Sequence, residues 1–288
     1  MRFSRVGTLV LILSAVLIGA NCSYYDRIIT RKNLVDGGKA YKDRKFEQAE
    51  QLFRDAIARD PQITTNEAKT AQLFLARTLH SGYIGSREKV EKANEAIQEY
   101  KKVLAGDVAD QSSFNAVANL LENLNRDDEW LKWVTDRTND EKVPPVQRAE
   151  ALTKLAAKQY SCANDISDVE PVKKTVTKDG KQVFAFSKPQ SPEDYEKLKQ
   201  CTAEGTELVN RAEKLDTNSD AVWSYKANML YQQMRLAEME GRTAEKESLK
   251  TEADKAKERF TELANIKKEK EDALKAEQAA KEAAANKK

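Results

Sequence analysis

The stretch Phe46–Pro61, FEQAEQLFRDAIARDP, limits what this chain can fold into more than any other. Phe46, Ala49, Phe53 and Ala56 recur at steps of three and four, which places them on one face of a helix. Alanine at two of these positions lets a neighbouring helix approach closely, and Phe53 fills the space between them. Pro61 closes the run because it has no N–H to extend the ladder. A helix with such a face cannot bury it alone, so the chain must supply helices to stack against it.

The pattern recurs. Ala93, Ala96, Tyr100 and Val103 repeat it at the same intervals, and Gly106 takes the place of the proline as the stop. Composition agrees: glycine (10) and proline (6) are scarce in 288 residues, and charged residues make up 33%. That mix favours helix almost throughout. The A-x3-F of Ala49 and Phe53 with its terminal proline resembles the second helix of a tetratricopeptide (TPR) repeat. The resemblance implies an all-α fold, a TPR-like solenoid of helical hairpins over residues 34–266.

Five units follow from it. Leu34–Pro61 is one whole repeat, with Gly37 and Ala40 as small contacts in its first helix and Tyr41–Lys45 as its turn. The second has Leu75, Ala76 and Leu79 in a first helix over Ala71–His80, then a long connection, Ser81–Glu88, before the Ala93 helix. In the third, Phe114, Val117, Ala118 and Leu121 precede a turn at Asn125. Trp130 and Trp133 then replace the Ala/Phe pattern over Asp128–Arg137, and Pro144-Pro145 ends the unit. The fourth is interrupted: Ala149–Cys162 waits for its partner until about Ser191–Leu215. Between them, over about residues 171–187, β-branched and aromatic residues flank Asp179-Gly180, which predicts a small β-hairpin insertion. The fifth starts at Ser219-Asp220 and pairs Trp223, Ala227 and Leu230 with Ala253, Ala256, Phe260 and Leu263. Residues 267–288 are nearly all Ala, Lys and Glu, and read as a charged helical tail.

The N-terminus carries a different signal. Arg2 and Arg5 precede an apolar run from Val6 to Ala20, which reads as an export leader. It ends Gly19-Ala20-Asn21-Cys22, similar to a bacterial lipoprotein lipobox, with Asn21 where that family has Gly, Ala or Ser. The expectation is therefore a leader over residues 1–22 and lipidation of Cys22; ordinary cleavage and an uncleaved anchor are the alternatives. Residues 23–33 read as a juxtamembrane linker, and Ser23 after the cysteine implies outer-membrane sorting. With Cys22 lipidated, Cys162 and Cys201 are left as a candidate disulfide in an oxidising compartment, two buried free thiols being the alternative.

Catalysis finds little support. The chain has no G-x-x-x-x-G-K-[ST], H-E-x-x-H, G-x-S-x-G or C-x-x-C, and a single histidine, His80. No catalytic residue, metal site or cofactor is expected. A net charge of +2 with both signs interspersed argues against a nucleic-acid partner. In TPR proteins the first helices line a concave groove that binds peptides. Carried over, the partner-binding positions are Tyr41, Lys42, Arg77, His80, Asn115, Asn119, Glu122, Tyr160, Asn228 and Tyr231. Such a row suits extended peptides, through stacking area and backbone hydrogen bonds; inter-repeat packing of the tyrosines is the alternative. The resemblance implies a non-catalytic envelope scaffold binding a protein or peptide, held at the membrane by its lipid and assisting outer-membrane protein assembly. The alternative is an accessory subunit of an envelope polysaccharide or secretion machine.

Overall fold

In the computed structural model the described residues are 25–285, and they form two compact units that divide between Trp130 and Leu131. The expectations for the leader and for Cys22 lie outside the described residues. Among the described residues no helix is long and apolar enough to cross a membrane.

The first unit is built of TPR-like helical hairpins: α1 (residues 25–42), α2 (Phe46–Ala58), α3 (Asn66–Gly85), α4 (Val90–Gly106) and α5 (Gln111–Asn123). Each helix from α2 to α5 packs on its predecessor or successor in the chain. Ala49, Phe53 and Ala56 of α2 and Ala93, Ala96 and Tyr100 of α4 are all buried. Phe53 reaches α1 where Gly37 leaves room: a Cβ on Gly37 would lie 2.7 Å from the Phe53 ring. The same ring stands 5.6 Å from Phe74, which is 5.9 Å from Tyr41, so one aromatic cluster ties α1, α2 and α3. On the outer side, Glu50 takes both Arg54 and Lys92, and Arg54 also reaches Glu95, which links α2 to α4.

Two boundaries differ from expectation in this unit. The chain is already helical at residue 25, the first described residue, inside the segment expected as a linker. Thr30 is buried there and donates to Asp26 O, while Arg27–Glu67 and Asp26–Arg59 pairs fasten this first part to α3 and to the end of α2. Helix α3 runs on through most of Ser81–Glu88, because Tyr83, one turn after Leu79, is buried like it. The connection to α4 is left with only a few residues.

The division falls within α6 (Asp127–Asn139). The second unit continues with α7 (Pro145–Ser167), the hairpin β1 (Lys173–Lys178) and β2 (Lys181–Phe186), α8 (Pro192–Leu215), α9 (Asp220–Met239) and α10 (Thr243–Ala285). Pro145 opens α7 rather than closing the preceding unit, since at the first helical position its missing N–H costs nothing. Ser191 and Ser219 cap α8 and α9 with their side-chain oxygens. Ala156, Val209 and Met229 form one core across α7, α8 and α9, and Gly205 gives the Met229 thioether its place. Ala227, Leu230, Leu249, Ala253 and Ala256 form another between α9 and α10. Cys162 and Cys201 are joined in a disulfide between α7 and α8, with Cα atoms 6.1 Å apart.

Helix α10 has 43 residues, about 65 Å at 1.5 Å per residue. Its buried positions stop at Leu263; from there to residue 283 nearly every side chain is exposed. Pairs such as Asp272–Lys275 and Glu277–Lys281 support that part locally.

Candidate functional site

The ten residues expected to line a groove fall into groups. In the first unit, Tyr41 is half-buried between Phe46 and Phe74, and its hydroxyl is hydrogen-bonded to Ser81 Oγ at 3.2 Å. The Arg77 guanidinium lies 5.4 Å from the centre of the Phe74 ring. His80 Nδ1 is 3.4 Å from the Tyr100 hydroxyl, with the rings edge to face. Burial, with the nearby Arg87 charge, holds the imidazole below its ordinary pKa, and burial pushes the Tyr100 phenol well up. Tyr41 and His80 thus spend much of their surface on intramolecular packing. Lys42 is exposed on α1; Asn119 and Glu122 are exposed on α5, with Asn115 half-buried beside them.

The second unit gathers the other three. Tyr160 of α7 and Asn228 and Tyr231 of α9 line one concavity of about 330 Å³. The hairpin closes its other side. Asp179 and Gly180 both have positive φ, the geometry of the two-residue turn that matches strand twist. Lys178 therefore opposes Lys181, and the register continues through Thr175–Phe184 to Lys173–Phe186. Side chains alternate along a strand, so Phe184 and Phe186 share a face, and both line the concavity.

An isolated two-stranded hairpin is marginal in water. This one is docked. The Phe186 N–H donates to Glu238 on α9 at 3.3 Å, and the Arg235 guanidinium sits 4.6 Å from the Phe186 ring centre. Val172, just before β1, is buried. Phe184 is left 58% exposed at the mouth, with the Lys173 ammonium 4.1 Å from its ring centre.

Polar groups beneath the aromatic rim are fixed by one another. The Ser167 hydroxyl donates to Gln232 Oε1 at 2.9 Å, and Arg235 donates to Ser167 Oγ at 2.7 Å and to Asn164 Oδ1 at 3.2 Å. Burial lowers the Arg235 pKa and the Asp168 carboxylate works against it; the guanidinium stays charged. Tyr231 donates to Asp254 at 3.3 Å, and burial together with that carboxylate raises its phenol pKa. Tyr160 packs edge to face on Tyr225, 6.3 Å away. The result is an aromatic-walled recess with a few oriented polar groups.

Of the expected groove positions, Tyr160, Asn228 and Tyr231 line this recess; Phe184, Phe186, Gln232, Met234 and Arg235 line it too and were not singled out from the sequence. A signal for Arg235 was present: it stands seven residues after Asn228 and four after Tyr231, on the same helix face. For the phenylalanines, spacing of two in a strand gave the shared face but not what it would cover.

No family profile and no curated protein matches the sequence. Among solved structures, the chain is similar to PilF of Pseudomonas aeruginosa, at 15% identity and a TM-score of 0.41 over 83% of this chain and 89% of that one. It is similar to MamA at 14% identity and a TM-score of 0.37, covering 84% and 94% of the two chains. A tetratricopeptide repeat protein from Parabacteroides merdae follows at 13% identity and 0.34, covering 82% and 90%.

Proposed function

We propose that this chain is a non-catalytic adaptor that holds an extended segment of a partner protein, seating one of its apolar or aromatic side chains between the hairpin and α9. The recess lined by Phe184, Phe186, Tyr160 and Tyr231 carries this reading. Its walls are rigid rings that offer large contact area at little entropic cost. Asn228 at the rim supplies an amide that can bond a peptide backbone.

The place of action is the bacterial envelope, on the periplasmic side of the outer membrane. The leader-like residues 1–22, the lipobox-like approach to Cys22 and the Cys162–Cys201 disulfide support it, since disulfides persist in oxidising compartments. The partner would then be an envelope protein, with one undergoing outer-membrane assembly as the narrower case. A subunit of a polysaccharide or secretion machine would use the same recess, and the identity of the captured segment separates the two.

A photo-crosslinking amino acid at Tyr231 in cells, with exposed Leu131 as control, should capture a peptide segment at position 231 only. That segment, made synthetically, should bind the wild-type chain about tenfold more tightly than a Phe184→Ala variant, as for loss of one interface anchor. Equal capture at both positions, or equal affinity for both chains, would overturn the reading.

A further inference from the structure

We infer that the outer face of α1 is a docking surface for an anionic lipid bilayer. The helix has two unlike sides. Thr30, Gly37 and Ala40, at steps of seven and three, are buried in the first unit. On the opposite side Tyr25, Ile28 and Val35 are 59%, 49% and 63% exposed, also at steps of three and seven. Cations stand among them: Arg31, Lys32 and Lys39 are exposed on the same face, with Lys42 one turn on; the acids near it are Asp36 at its margin and Glu67 of α3, which lies beside Ile28 and Arg31 and is paired with Arg27. Lys32, Lys39 and Lys42 have no ion pair among the described residues.

Three exposed apolar side chains framed by cations are the composition of a helix that lies in the interface of an anionic membrane. The apolar groups enter the headgroup boundary while the long cationic stems reach phosphate. The position of the helix in the chain selects a bilayer over other occupants. Cys22 precedes residue 25 by three residues, so a lipid on that cysteine would hold residue 25 of α1 within about 11 Å of the membrane. The apolar run from Val6 to Ala20 would impose the same proximity as an uncleaved anchor. Proximity of that kind turns a weak surface affinity into a populated contact. Docked this way, α1 would set how the first unit stands on the membrane, independently of what the recess in the second unit binds.

The test uses the full chain with Cys22→Ser, so that acylation supplies no affinity. Ile28→Cys, Val35→Cys and, as control, Leu131→Cys each carry an environment-sensitive fluorophore. Vesicles are phosphatidylcholine alone or with phosphatidylglycerol. Labels at 28 and 35 should shift to the blue and be quenched by lipid-borne quenchers in anionic vesicles. Partitioning should fall roughly tenfold in neutral vesicles, while the label at 131 stays in water. Replacing Arg31, Lys32 and Lys39 with glutamate should abolish the shift. Labels at 28 and 35 as wet as that at 131 in anionic vesicles would overturn the inference. So would a shift that is equal in neutral vesicles and survives charge reversal, which would assign the contact to the leader. A shift without vesicles that grows with protein concentration would assign the face to a second copy of the chain and overturn it as well. Peptide capture at Tyr231 is a separate readout and does not depend on any of these outcomes.

Discussion

In the first unit the helices are held at close range by a rigid wedge; in the second, by a flexible one and a covalent bond. Phe53 fills the gap opposite Gly37 and stacks on Phe74. At the corresponding close approach in the second unit, Gly205 faces the end of Met229, an unbranched side chain that adapts to irregular space. What fixes the geometry there is the Cys162–Cys201 bond and the Ser167–Gln232–Arg235 network at the end of α7. The difference follows from what each unit carries. A regular hairpin stack needs only apolar contacts between neighbours. An inserted hairpin interrupts the path from α7 to α8, and both its ends must be held for the recess to keep its shape.

The contrast can be broken by substitution. Phe53→Ala should cost about 3–5 kcal/mol, the range for emptying a large buried ring site, with hydrogen-exchange protection lost in α1 to α3. Equal loss in α7 to α9 would show that the two units do not respond separately. Removing the disulfide by Cys162→Ala and Cys201→Ala, positions 39 residues apart, should cost about 4 kcal/mol by loop-closure entropy. Protection should fall in α7, the hairpin and α8, with α1 to α4 unchanged.

Smaller changes sharpen it. Gly37→Ala pushes a methyl against an aromatic ring that has nowhere to turn, and should cost about 1–3 kcal/mol in a denaturant titration. Gly205→Ala meets the movable end of Met229 most closely and Gln159 Cβ at 3.1 Å, so its cost should fall below that of Gly37→Ala, where all the nearest atoms belong to one ring. The reverse order would mean that Phe53 is not the rigid element.

The smallest effects are acidic. His80, the only histidine, is buried enough to favour its neutral form, so its contribution is full above pH 6.5 and declines as pH falls towards its lowered folded pKa. Burial would raise the Glu50 carboxyl, but hydrogen bonds and charge from Lys92 and Arg54 hold it below its ordinary 4.5. The stabilisation by that carboxylate is full above about pH 4.5 and is lost as pH falls through the folded value. On acid titration, first-unit stability is expected to decline first through His80 and then through the carboxyl groups held below their ordinary pKa, Glu50 together with Asp60 and Asp110. His80→Asn should remove the upper loss, and Glu50→Gln should reduce the lower one.

Much of this was legible in the residues. Ala49, Phe53, Ala93 and Ala96 announced buried faces by spacing alone, because helical period converts directly into a shared side. Asp179-Gly180 announced its turn because few residue pairs tolerate two successive positive φ angles. Helix limits were less legible. Nothing local distinguishes Ser81–Gly85 from a loop until Tyr83 finds a core to enter, and residues 25–33 become helix through Thr30 and the pairs to Glu67 and Arg59.

By itself the sequence determined that the chain would be a series of helical hairpins, and where a strand pair would interrupt them; period and turn chemistry are local properties. Only tertiary structure decided which side chains would meet. Phe184 and Phe186 lie more than twenty residues from Tyr160 and more than forty from Tyr231, and Arg235 finds Ser167 across 68 residues. Contacts at such separations depend on how α7 and α9 pack and on where the insertion folds back, and neither is encoded in any single stretch of the chain.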